Sequence, residues 1–262
     1  MTGASRGVGR GVALVLGECG ATVYVTGRSA QLEETAAEVS RRGGRAIAVR
    51  TDHRDDSQVE SLFARVKAEQ RVLDLLVANA WGGYEGSYQQ AFSAPFWEQP
   101  LERWAAMVDG GLRAHFTAAR QAAPLLVERG SGLIVCTGGW NDPDFYLGNL
   151  VYDVVKTATS RLVRDMAYEL RPRGVAAVGV YPGFTRTESV VAAFAAGGEE
   201  PPPETHSPEF VGRAVGCLLA DADLMHLSGR GMQAAELAER YGFSDVDGRR
   251  IALFQLPDEL RL

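Results

Sequence analysis

Five runs of apolar residues set the frame for this chain. They are "ATVYVTG" (21–27), "AIAVRTD" (46–52), "LDLLVANA" (73–80), "GLIVCTGG" (132–139) and "VAAVGVYPG" (175–183). Each is nearly continuous in apolar residues, as a strand buried on both faces must be. Segments of helical periodicity separate them. "AQLEETAAEVSRRGG" stops on glycine, "DSQVESLFARVKAEQ" opens on an aspartate expected to cap it, and "YDVVKTATSRLVRDMAYELRPRG" closes on Arg, Pro and Gly. Such alternation predicts an α/β fold, a doubly wound parallel sheet (Rossmann fold) flanked by helices. No linker divides the chain, so residues 1–262 read as a single domain. "AAGGEEPPPETHSPEF" (195–210) reads as an excursion after the last of these runs, a surface loop or a lid.

Other classes of protein fit poorly. A net charge of −6 argues against nucleic acid or an anionic membrane as the main partner. No apolar run is long enough to span a bilayer, and no secretory signal is visible. Cys19, Cys136 and Cys217 are widely spaced and read as buried thiols of a reducing, cytoplasmic compartment. No metal-ligand spacing occurs among the histidines and cysteines.

The opening "TGASRGVG" spaces its glycines as a turn that lets backbone approach a pyrophosphate. Gly3, Ser5, Arg6, Gly7, Val8 and Gly9 are therefore candidate cofactor contacts. The spacing alone is weak in a chain of 30 glycines. Its place before a helix and a strand strengthens it. At the end of the next strand, where an acid would bind the ribose of NAD, the chain reads Thr26-Gly27-Arg28-Ser29. Arg28, helped by Arg6, suits a 2′-phosphate and predicts NADP(H). Two solvent-exposed arginines are the plainer alternative.

"VYDVVK" puts Tyr152 and Lys156 one turn apart on one helix face. The chain has eight tyrosines and only two lysines, so this spacing seldom arises by chance. A phenol, with its usual pKa near 10, needs a neighbouring cation to exchange protons at neutral pH. Lys156 can be that cation and can also bind the cofactor ribose. Tyr152 can protonate a carbonyl oxygen as hydride arrives.

Taken in order, "TGASRGVG", Asp52, "ANA" (78–80), "YDVVK" and "PGFTRT" (182–187) make the chain resemble the short-chain dehydrogenase/reductase family along essentially its whole length. "FWEQP" (96–100) and "LSGRGMQAAELAERYGFSDVDGRR" (227–250) resemble one branch of it. The resemblance implies that Asp52 meets the adenine and Asn79 steadies the central strand. It also implies that Pro182, Gly183 and Thr187 hold the carboxamide-pyrophosphate region. A homodimer or homotetramer, paired through two long helices, is implied too.

Two departures stand out. The family's catalytic serine falls at Gly139, and its asparagine aligns with Gly111, near Asp109. Thr137 or Asn141 could take over the serine's role of donating to an oxyanion. The gap also leaves a rival reading, a non-catalytic NADP(H)-binding regulatory or scaffold protein. Tyr152 beside Lys156 favours the enzyme. Trp81, Tyr84 and Trp140 could line a pocket for a bulky apolar carbonyl or alcohol substrate, with Phe92, Phe96, Trp97 and Trp104 packing the loop and long helix or a subunit interface.

One feature conflicts with the fold. The strand that should precede the glycine turn belongs at the sheet centre, in the order 3-2-1-4-5-6-7, yet Met1 alone stands there. The expectation is a sheet with a gap between "ATVYVTG" and "LDLLVANA", and a natural chain that begins several residues upstream.

Overall fold

Strict alternation within the apolar runs assigns each strand residue to one of two cores. Val23, Val25, Val77, Leu133, Val135, Ala176 and Val178 face one layer of helices, while Tyr24, Leu76, Ile134, Cys136 and Ala177 face the other. The computed structural model describes residues 1–83, 91–138 and 146–255. Strand β1 (Thr22–Gly27) pairs in parallel with β2 (Arg45–Arg50). A second parallel set runs β3 (Leu75–Ala78), β4 (Gly132–Thr137), β5 (Val175–Tyr181) and β6 (Gly231–Gln233) in that order.

Helices α1 (Gly7–Glu18), α2 (Leu32–Arg41), α8 (Pro208–Ala220) and α9 (Ala234–Tyr241) cover the first face. Helices α3 (Asp56–Gln70), α5 (Ala114–Arg129) and α6 (Leu150–Leu170) cover the second. The shorter α4 (Leu101–Met107) runs into α5 through a π-helical turn, Val108–Arg113. Helix α7 (Glu188–Ala196) follows β5 on the surface and buries none of its residues. Glycine sets the α1–α8 approach: a Cβ on Gly11 would lie 2.3 Å from the Pro208 carbonyl carbon.

The centre of the sheet holds the expected gap. Among the described residues, Met1 and Thr2 lie between β1 and β3. Thr2 bridges to Thr26 on one side, and its N–H donates to the Val77 carbonyl at 3.0 Å on the other. Beyond that pair a cavity of about 320 Å³ opens, lined by Val23, Tyr24, Leu73, Leu75 and Val77 among others.

Three readings of the sequence need correction. The cap of α3 is Asp55, whose carboxylate accepts from the Ser57 and Gln58 amides, so Asp56 lies inside the first turn. The 195–210 stretch is not one loop, because its ends belong to α7 and α8. Cys19 is exposed because it caps the solvent end of α1, whereas Cys136 is buried in β4 and burial pushes its thiol up to about 12.

Candidate active site

The glycine turn is as tight as its sequence demands. Gly3 and Gly7 take φ of 63° and 55°, in the left-handed region. A Cβ on Gly9 would lie 2.0 Å from the Gly3 carbonyl oxygen. Asn79 clamps this turn to the end of β3. Its amide nitrogen donates to the Thr2 and Gly3 carbonyls at 3.1 and 3.2 Å, and its backbone N–H donates to the Thr2 hydroxyl at 2.8 Å.

Helix α1 then begins with neither a side-chain cap from Arg6 nor an acidic residue in its first turn. Its amides are left for an anion from elsewhere. Glu188, at the start of α7, supplies one: its carboxylate accepts the Gly7 N–H at 2.8 Å. A carboxylate seated there shows that the turn accommodates an anionic group, as a pyrophosphate site requires.

A groove of about 880 Å³ runs along the carboxyl edge of the sheet from Arg28 to Trp81. Gly3, Ser5, Arg6, Gly7, Val8 and Gly9 line it, as do Arg28, Asp52, Asn79 and Thr187. Arg28 and Arg6 are both exposed. Asp52 is gripped by Arg54 through two hydrogen bonds of 3.1 and 2.7 Å, which hold its carboxyl down at about 2. Pro182 and Gly183 do not line this groove. They sit against His206, whose Nε2 pairs with the Pro182 carbonyl.

Tyr152 and Lys156 are placed by the start of α6. Asn149 caps that helix: its Oδ1 accepts the Tyr152 N–H at 3.0 Å, while its Nδ2 donates to the Phe92 carbonyl at 2.7 Å. The Lys156 Nζ lies 5.3 Å from the Tyr152 ring centroid and 4.0 Å from that of Trp81. The Trp81 and Phe92 rings each meet Tyr152 edge-on, both at 5.7 Å between centroids. Burial pulls the Lys156 amine down to about 8. Gly138, with φ 99°, leaves it room, since a Cβ there would be 2.9 Å from Nζ. An ammonium in this position can stabilise a phenolate and shuttle its proton.

The candidates for the serine's role separate. The Thr137 hydroxyl is buried and donates to the Asn79 Oδ1 at 3.1 Å, which makes it a brace for Asn79. Asn141 lies outside the described residues, as do Gly139, Trp140 and Tyr84. Phe92 packs its ring against Tyr152, whereas Phe96, Trp97 and Trp104 are more exposed.

The sequence reading missed Asn149 and Glu188. Asn149 carries a signal, an N-cap residue three places before Tyr152. Glu188 carries none, because its partner lies 181 positions away in the chain.

Residues 1–196 match the family described as short chain dehydrogenase. The chain is 39% identical over 269 aligned residues to a mouse protein named dehydrogenase/reductase SDR family member 1, covering 96% of this chain and 83% of that one. The human protein of the same name is 38% identical with the same coverage. A short-chain type dehydrogenase/reductase structure from Mycobacterium marinum superposes with a TM-score of 0.75 at 29% identity, over 89% of this chain and 91% of that one. A candidate NAD(P)-dependent gluconate 5-dehydrogenase from Beutenbergia cavernae, holding NADP at low occupancy, gives 0.75 at 28% identity, over 92% and 95%.

Proposed function

The chain belongs to the short-chain dehydrogenase family, and from that premise we propose that it is an NADP(H)-dependent oxidoreductase of the carbonyl reductase type. The observation that carries this reading is Tyr152 with Lys156 one helical turn away, both packed on Trp81, which itself lines one end of the groove. The glycine turn and the open amides of α1 would hold the pyrophosphate, and Thr187 would lie against it. Arg28 and Arg6 would bind the 2′-phosphate, a role that fits the missing acid after β1 and the NADP seen in the Beutenbergia structure. When bound, the cofactor supplies the hydride.

The rest of the chemistry belongs to this chain's residues. Tyr152 donates its phenolic proton to the carbonyl oxygen of the substrate and takes it back in the alcohol direction. Lys156 keeps the resulting phenolate stable. Trp81 and Phe92 wall the space beside Tyr152 with apolar surface, which suits a bulky apolar ketone, aldehyde or quinone.

The test is NADPH oxidation across a panel of such substrates by the wild type and Tyr152→Phe. The variant should lose activity by about 10³-fold or more while binding NADPH as before. Near-wild-type turnover would reject the assignment. NADPH binding without turnover on any substrate by the wild type would favour the regulatory or scaffold reading.

A further inference from the structure

The position that the family resemblance gives to an asparagine is Gly111, in the π-helical turn between α4 and α5. Such turns inside helices are frequent at functional sites. Here the turn brings two glycines against one short stretch of chain. A Cβ on Gly110 would meet the Gly82 Cα at 3.0 Å, and a Cβ on Gly111 would meet Cε3 and Cζ3 of Trp81 at 2.7 Å. The space above Gly111 is thus filled by the Trp81 indole. The opposite claim on that indole comes from Lys156, whose Nζ stands 4.0 Å from the ring centroid. A cation at that distance over an indole is held by the negative face of the ring.

We propose that Trp81 is a positioning residue for Lys156, its indole face holding the ammonium against Tyr152 in the place left by the missing asparagine. This rests on the reading that Tyr152 and Lys156 carry the reaction. Gly111 is then the complement of the tryptophan, since a side chain there would displace the ring, while Gly110 lets the turn close on Gly82. Among the described residues, the other titratable groups that face Lys156 are His115 from α5 and Tyr152 from its own helix. His115 is buried and held neutral, so it offers the ammonium no negative charge. Among the described residues, the indole is the group left to stabilise the cation.

Lys67→Arg leaves Lys156 as the sole lysine, so a lysine ¹³Cε label reports on it alone in the cofactor-free protein. The ε-methylene signal should lie upfield through the ring current of Trp81 and titrate near pH 8. In Trp81→Leu the upfield shift should vanish and the titration midpoint should fall further, because the ammonium loses its partner. With NADPH and substrate, kcat should drop about tenfold or more with a smaller change in KM, and Trp81→Phe should recover most of it. An unchanged midpoint and kcat in Trp81→Leu would overturn the proposal. So would a midpoint that rises, as hydration alone would cause. If Trp81→Leu does not fold, a wild-type Lys156 signal without the upfield shift would overturn it on its own. Tyr152→Phe run alongside separates the two readings. An inactive Tyr152→Phe with a fully active Trp81→Leu rejects the positioning role alone, whereas an active Tyr152→Phe rejects the catalytic assignment and leaves the spectrum to decide the contact.

Discussion

At the scale of single residues, Arg28 should decide the cofactor. It is exposed at the mouth of the groove, in the stretch where an acid would select NAD. Arg28→Asp should shift preference from NADPH toward NADH by about ten- to a hundred-fold, the worth of a charge-assisted phosphate contact of about 1.5–3 kcal/mol. An unchanged ratio of the two dissociation constants would place the phosphate elsewhere. His53 and His115, two of the three buried histidines, should govern stability in acid. Burial lowers His53 to about 4 and His115 to about 3, the latter helped by Lys156. The unfolded chain, with histidines near 6.5, binds the extra protons first. Their contribution is therefore complete above about pH 6.5 and drains away as pH falls toward 4, by about 2 kcal/mol for each histidine at pH 5. Urea midpoints measured from pH 7 to pH 5 should fall, and should fall less in His115→Met. An equal slope in that variant would assign the acid sensitivity to other groups.

Between residue and element lies the contact of α7 with α1. Helix α1 brings unpaired amides and the positive end of its dipole to the groove, and Glu188 of α7 sits on them through the Gly7 N–H. A dinucleotide pyrophosphate needs the same donors, so the two anions compete. Glu188→Gln keeps the size of the side chain and removes its charge. NADPH should then bind more tightly by about fivefold, equivalent to about 1 kcal/mol for an anion at a helix N-terminus. Fluorescence titration would measure it. Weaker binding would mean instead that the carboxylate orders the turn for its ligand. Strands β1, β3, β4 and β5 were legible as elements because each is buried on both faces and so reads as an apolar run, and β2, half-buried, keeps enough apolar residues to read the same way. Helix α7 was not, because it lies exposed and buries none of its residues. Strand β6 spans only Gly231–Gln233, too short to show any period.

Taken whole, the molecule carries two parallel sheets that meet across the glycine turn, and the order β3-β4-β5-β6 follows chain order as the alternation of strands and helices predicts. Much of the candidate groove was legible too: Arg28, Asp52, Asn79 and Thr187 each follow a strand at the carboxyl edge, and they meet the glycine turn there. What stayed hidden depends on distant side chains finding each other, as Trp81 finds Lys156 and Thr137 finds Asn79. The junction itself makes a prediction. Thr26 donates its N–H to the Met1 carbonyl, so Tyr24 and Thr22 share that edge of β1, and Val77 and Leu75 share the facing edge of β3. The cavity lies between those edges. Exchange there needs only local opening, whereas Val135 and Val178, in the continuous β3–β6 sheet, need the sheet to come apart. Native-state hydrogen exchange should find the Tyr24, Leu75 and Val77 amides faster than those of Val135 and Val178 by about two orders of magnitude or more. Equal protection across all five would show that the two sheets unfold as one unit.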